Sequence, residues 1–293
     1  MPVSSVVKDH IGPYRLLRLI RVGKTAQVWE AINATEDERF ALKVLLNDYC
    51  KDKAEIAALK HEYTVGRQLE DETVNRIHEF DISRGTPYIV MDLFDGPNIK
   101  QAQRQTPELI QRHMEAIILQ GARGLGHMHS RGWAHRDVKP DNFLINDTGQ
   151  VKLIDFSIAQ RIKKGFGKLL AGKPKMVQGT RSYMAPEQIR GQSVDERADI
   201  YSFGCMIFEL LAGRLPYTGT SSNDLLTKHL KAVVPSVVAF NDNITADFGK
   251  LIGRMMAKEA DQRPQSMDEV LEVCQNTQLY LVRPRFDSAP PSS

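Results

Sequence analysis

The chain has 293 residues, with 39 Lys+Arg against 36 Asp+Glu and a formal net charge of +3. A hydrophobic share of 42% with 26% charged residues excludes a mainly disordered or fibrous chain. The small charge makes no global case for nucleic acid or an anionic membrane as partner, and the length permits one large domain or two lobes around a cleft.

Residues 1–13 read as a leader. Three strands of an antiparallel meander follow, Tyr14–Val22, 26–34 and Arg39–Leu45, broken at Gly23 and near Asp37. Residues 52–70 predict a helix, with Ile56, Leu59, Tyr63 and Leu69 near helical spacing. Two more strands, 76–82 and 87–94, flank the turn Ser83-Arg84-Gly85-Thr86.

After Asp95-Gly96-Pro97 the pattern becomes helical. Thr106 and Pro107 start a helix that runs to about His129. Others are expected from about Asp199 to Ala212, stopped by Gly213, and from near Thr245, with Phe248, Leu251, Ile252 and Met255 on one face. Ser266-Met267-Asp268-Glu269 is a capping box for the last helix, and residues 277–293 read as a disordered tail. The pattern predicts an α+β chain in two lobes, 14–95 and 96–276, hinged near 92–97. Cys50, Cys205 and Cys274 are widely spaced without a Cys-x-x-Cys, which fits a reducing compartment rather than a disulfide framework or zinc knuckle. The N-terminus lacks an apolar signal core and no apolar run approaches about 18 residues, so the expectation is a cytoplasmic chain without a membrane partner.

The densest chemical signal is His135-Arg136-Asp137-Val138-Lys139-Pro140-Asp141-Asn142. Asp155 lies 18 residues after Asp137, in Leu153-Ile154-Asp155-Phe156-Ser157. Ala185-Pro186-Glu187 follows, and Lys43 stands upstream in Phe40-Ala41-Leu42-Lys43. Together and in this order, these residues resemble the protein-kinase signature set from about Tyr14 to about Asn276. In wording they are most similar to the eukaryotic-like Ser/Thr kinases of bacteria.

The resemblance implies a two-lobed protein-kinase fold. The N-lobe would be a small antiparallel β-sheet with one main helix, and the C-lobe larger and mainly α-helical, with ATP in the cleft between them. It implies ATP- and Mg²⁺-dependent transfer of the γ-phosphate to Ser or Thr hydroxyls of proteins. A transferring phosphoryl group spreads negative charge over its oxygens, so the site must supply cations and an aligned nucleophile. By resemblance, Asp155 and Asn142 are the Mg²⁺ ligands, hard oxygen donors for a hard cation. Asp137 would orient the acceptor hydroxyl and take its proton, and Lys139 would neutralise the γ-phosphate. Lys43 would bind the α- and β-phosphates, held by Glu62 of the first helix, although Glu55 and Glu70 are nearby competitors. Val22, Gly23, Val28, Ala41, Met91, Asp92, Phe94 and Leu144 would surround the nucleotide, with Asp92 and Phe94 offering backbone groups to adenine. Glu187 would pair with Arg263, and Asp199 would hold the catalytic loop's backbone. His129, His135 and Cys205 read as structural.

Three departures stand out. The phosphate-cradling loop should read G-x-G-x-x-G-x-V, and here only Gly23 remains, with Arg21 and Ala26 at the other glycine positions. Ser157 replaces the glycine after Asp-Phe. Gly66 stands where the family has a large apolar residue, so that either the helix packs loosely or Val65 compensates. Gly23-Lys24-Thr25 mimics the end of a Walker A loop, but Arg18 occupies the position of its first glycine. The altered loop keeps a second reading open, a pseudokinase scaffold or ATP-binding interaction module without phosphotransfer. The full set Lys43, Asp137, Lys139, Asn142 and Asp155 opposes it.

The segment 158–178 has no Ser, Thr or Tyr and carries Arg161, Lys163, Lys164, Lys168, Lys173 and Lys175. The usual activation-loop switch therefore lacks its acceptor. The run is either a solvated basic loop or one ordered by an acidic partner or substrate.

Overall fold

A computed structural model of the chain describes residues 9–35, 37–162 and 179–286. One unit comprises the described residues up to Asp95 together with Asp155–Ser157; the other comprises Gly96–Ile154 and the described residues from Ile158 onward.

In the first unit, β1 (His10–Ile11), β2 (Tyr14–Val22), β3 (Ala26–Asn33), β4 (Arg39–Leu45), β5 (Ile77–Ser83) and β6 (Thr86–Asp92) form one antiparallel sheet in the order β1-β2-β3-β4-β6-β5. β2 and β4 have the predicted bounds. Alternation along the strands puts Tyr14, Ala31, Leu42, Val44, Tyr88 and Val90 into one apolar cluster with Ile11. The leader is thus not wholly outside the fold. His10 and Ile11 pair with Arg15 and Tyr14 across a turn in which Gly12 takes φ 57°, because an exposed Ile11 would forfeit its burial.

Helix α1 (Lys53–Gly66) starts on the Asp52 side chain, which accepts from the Ala54 and Glu55 amides. It stops short of the predicted residue 70. Gln68 and Leu69 continue in tighter turns, donating to Val65 and Gly66 carbonyls, and Leu69 is fully buried there. The choice posed by Gly66 resolves differently from either expectation. A Cβ at position 66 would lie 2.7 Å from Ile77 Cγ1 and 3.2 Å from Phe156 Cδ2, so side chains from β5 and from Phe156 fill the space.

The second unit contains α2 (Ile99–Gln105), α3 (Pro107–Arg112), α4 (Met114–Ser130), α5 (Pro186–Ile189), α6 (Glu196–Ala212), α7 (Ser222–Lys231), α8 (Ala246–Met255) and α9 (Met267–Asn276). Two small antiparallel ladders join β7 (Trp133–Ala134) to β10 (Gln160–Arg161) and β8 (Phe143–Ile145) to β9 (Val151–Leu153). α6 is apolar nearly all round and is buried accordingly, from Ala198 to Glu209. It begins at Glu196, ahead of the predicted Asp199, because Asp195 caps it through the Arg197 amide; Gly213 ends it at φ 69°.

The single helix predicted from Thr106 to His129 is two. His113 leaves helical geometry at φ −107°, and its Nε2 lies 3.0 Å from the Asp147 carbonyl oxygen. The expected disorder after Asn276 does not extend to the segment 278–283. Thr245 N donates to Leu279 O (3.1 Å), Leu281 N to Asn243 O (2.8 Å) and Val282 N to Asn243 Oδ1 (2.8 Å). Leu279 is buried, which gives this strap an apolar anchor as well. Residues 287–293 lie outside the described residues, as do Lys163, Lys164, Lys168, Lys173 and Lys175 of the basic run.

Candidate active site

The first unit gathers three of the predicted residues. Lys43 stands in β4 between Val28 of β3 and Ile89 of β6. Its ammonium is 2.7 Å from Glu62 Oε2 and 3.5 Å from Asp155 Oδ1. Glu62 is 2% exposed, so among the glutamates near the helix it is the one committed to Lys43. Burial disfavours the Lys43 charge, but the Asp155 and Glu62 carboxylates outweigh it and hold the ammonium's pKa raised. Burial likewise pushes the Glu62 carboxyl up, against the pull of Lys43.

Ala41 is buried and pairs with Met91. Gly23 sits in the tight β2–β3 turn, its amide donating to Ala26 O at 2.8 Å, where an added Cβ would touch that same oxygen at 3.0 Å. Val22 at the end of β2 is 59% exposed, and Arg21 is also exposed. Asp92 ends β6 and Phe94 follows in the connecting segment. The Asp92 carbonyl accepts from Asn75 Nδ2 at 3.1 Å, a buried partner that no sequence motif signals. Asp155 holds φ 65°, and its Oδ1 accepts from Ser157 Oγ at 2.7 Å. Among the described residues Ser157 is not at positive φ, so glycine is not required there.

The second unit builds a carboxylate site around Asp137. Its Oδ1 accepts from both the amide and the hydroxyl of Thr180, each at 2.8 Å. Its Oδ2 accepts from Lys139 Nζ at 2.5 Å and Asn142 Nδ2 at 3.3 Å, and Lys139 also donates to Thr180 Oγ1 at 2.8 Å. Thr180 is a partner of Asp137 that no motif in the sequence signals; the contact spans 43 residues and leaves no local pattern. Leu144, in β8, lies in this unit beside Asn98.

Asp199 supports the loop from inside α6. Its oxygens accept from His135 N (2.7 Å), Arg136 N (2.7 Å) and His129 Nε2 (2.8 Å), and it is fully buried. Burial alone would raise the Asp199 carboxyl, but the His129 hydrogen bond, the neighbouring His129 and His135 rings and the Arg136 amide hold it below its usual range. These bonds offset the strain of Arg136 at φ 70°, a conformation costing about 1–3 kcal/mol for a non-glycine residue. His135 Nε2 meets Ile154 O at 3.1 Å and its Nδ1 receives the Asp137 amide at 3.3 Å, which fixes the Nε2–H tautomer. Below this, Arg263 clasps Glu187 with two bonds of 2.7 and 2.9 Å, the pair expected from the sequence.

Each unit carries an oxygen donor of the kind a magnesium ion takes: in the second, Asn142 spends its amide nitrogen on the Asp137 carbonyl (2.8 Å) and Oδ2, which leaves its Oδ1 as an acceptor, and in the first, Asp155 carries a carboxylate. Mg²⁺ is held by one or two such groups plus substrate phosphates rather than by an all-protein cage. Among the described residues, no three His, Cys, Asp or Glu side chains form a cage of their own.

Residues 14–275 match the family model of the protein kinase domain. The chain is 34% identical over 229 residues to serine/threonine-protein kinase PknA of Mycobacterium tuberculosis, covering 76% of this chain and 52% of that one. It is 30% identical over 259 residues to serine/threonine-protein kinase PrkC of Bacillus subtilis (88% and 39%), and 31% over 265 residues to serine/threonine-protein kinase PknH of Mycobacterium tuberculosis (89% and 41%). The chain spans about half the length, or less, of these curated relatives. A sheet unit carrying the Lys43–Glu62 pair, a helical unit carrying Asp137, and a family match over nearly the whole sequence agree: the chain belongs to the protein kinase family.

Proposed function

We propose that the chain is an ATP- and Mg²⁺-dependent serine/threonine kinase acting on proteins. The observation that carries this is the Asp137 carboxylate with Thr180 on one oxygen and Lys139 and Asn142 on the other. Such donors fix the orientation in which the carboxylate can accept a proton from a hydroxyl laid against it. The acceptor oxygen forms a bond to the γ-phosphorus, and the bond to the β–γ bridging oxygen breaks with its electron pair leaving on ADP. The acceptor proton passes to Asp137. Lys139 faces the charge that develops on the γ-phosphoryl oxygens. Lys43, held by Glu62, would bind the α- and β-phosphates, and the backbone around Gly23 would offer them amide groups. By the family resemblance, Val22, Val28, Ala41 and Met91 of the first unit and Leu144 of the second would serve the adenine site, with the Asp92 and Phe94 backbones as its polar edge. Asp155 and Asn142 would hold the magnesium, which would neutralise phosphate charge.

What supports protein substrates is the resemblance of Gly179-Thr180 and Ala185-Pro186-Glu187 to the segment that docks a polypeptide acceptor, with Glu187 held from behind by Arg263. An acidic partner or substrate suits the basic run, most of whose cations lie outside the described residues.

The test is incubation with Mg-ATP and a generic protein substrate, read by mass spectrometry for phosphoserine and phosphothreonine. Asp155→Asn should abolish transfer. Asp137→Asn should lower kcat by orders of magnitude while ATP binding stays nearly intact. Bound ATP without turnover in the unmodified protein would overturn the assignment and leave a nucleotide-binding scaffold.

A further inference from the structure

We infer that Arg181 selects substrates with an acidic side chain next to the phosphoacceptor. This rests on the kinase reading above and names the substrate class for that site. Arg181 directly follows Thr180, whose hydroxyl and amide are both bound to Asp137. A hydroxyl laid on Asp137 therefore brings its neighbouring residues within an arginine's reach of position 181, since successive Cα atoms lie only about 3.8 Å apart.

Arg181 is exposed, and its Nη1 donates to Ser222 Oγ at 2.7 Å at the start of α7. That bond aims the guanidinium and occupies one of its five N–H donors; the others have no protein partner among the described residues. No carboxylate from the packed elements claims it. Glu187 on α5 is held by Arg263. On α6, Asp199 is held by His129 and two amides, Glu209 by Lys100 at 2.6 Å and Tyr183 at 2.6 Å, and Glu196 acts on Arg197. Asp224 on α7 binds Lys228 and the Thr220 amide. The sequence has no Asp or Glu from Ser157 to Pro186. An oriented fork with unspent donors and no internal acid matches a carboxylate or phosphate on an incoming chain. Asp141, two residues past Lys139, is the competing acid and would favour a basic side chain, so both signs are tested.

The experiment uses a peptide set with one Ser acceptor and Glu, Ala or Lys at each of the three positions on either side. For the unmodified protein, kcat/KM should be about three- to tenfold higher for Glu than for Ala at a position adjacent to the acceptor, and the ratio should shrink in high salt. Arg181→Gln should bring the Glu/Ala ratio close to one. Arg181→Glu should invert it in favour of Lys, which a merely structural role for Arg181 would not do. In parallel, binding of the Glu peptide with Ser replaced by Ala is measured by fluorescence anisotropy, which needs no turnover. Arg181-dependent binding without phosphotransfer would uphold this inference and overturn the kinase reading. Phosphotransfer with no acidic preference, or a preference that survives Arg181→Gln, would overturn this inference alone. A Lys preference in the unmodified protein would assign the selection to Asp141 instead.

Discussion

Ile77 occupies the volume that a side chain at position 66 needs: its Cγ1 lies 2.7 Å from where a Gly66 Cβ would be. β5 and α1 are locked together by this exchange of bulk for absence. Gly66→Leu should therefore destabilise the sheet unit by about 1–3 kcal/mol through overpacking. Thermal denaturation checks it, and adding Ile77→Ala to the same chain should recover part of the loss.

Arg263 is 1% exposed and divides its donors between Glu187 and the carbonyls of Ala257, Lys258 and Arg197. Arg263→Ala strands a buried carboxylate, so the expected cost is about 3–5 kcal/mol in urea unfolding. The double variant with Glu187→Ala should lose less than the sum of the two single changes, a coupling that a double-mutant cycle measures.

His229, buried beneath Tyr201 and Tyr217, has its pKa pushed down to about 4 by burial and then by the Lys258 charge. The folded chain thus resists protonation there, while the unfolded chain takes the proton near its ordinary value of about 6.5. The stabilisation is present above that value and is lost as pH falls through 6.5 toward 4, up to on the order of 3 kcal/mol. His229→Gln should flatten this part of the stability profile, followed by chemical denaturation at stepped pH.

Thr180 gives Asp137 two of its bonds. Thr180→Val keeps the shape and removes the hydroxyl that links Asp137 to Lys139. We expect kcat to fall about 10- to 100-fold with ATP Kd changed less than about twofold, measured by steady-state kinetics and calorimetry.

With no hydroxyl side chain from Ile158 to Gln178, activity should not depend on phosphorylation in that segment. Phosphatase-treated protein should keep its rate. Loss of activity restored only by phosphate at Thr180 would contradict this.

Much of this was legible because the governing interactions are local. β2 and β4 follow from strand-like runs bounded by breaks at Gly23 and near Asp37, and the helix starting at Ala246 from its Thr245 cap. α2 and α7 were missed although each carries a local signal, the Asn98–Gln101 capping box and the Ser221 cap on Asp224 N. The break at His113 was not legible, since it depends on contacts with Asp147 and Gly149 from a distant hairpin. The site divides in the same way. Asp137, Lys139 and Asn142 stand in one motif, whereas Asn75 and Thr180 reach their partners only through tertiary folding. Gly66 departs from the family pattern in the sequence itself, but its explanation sits on another element, where no spacing rule points.

The strap across Asn243 and Thr245 separates two meanings of the word domain. The family match ends at residue 275, yet Asn243 and Thr245 exchange hydrogen bonds with residues 278–282. A fragment cut at the homologous edge would bare these groups and the apolar socket of Leu279 to solvent. The packed piece is therefore longer than the matched one, and recombinant boundaries belong beyond Arg283, where the guanidinium closes on Glu115.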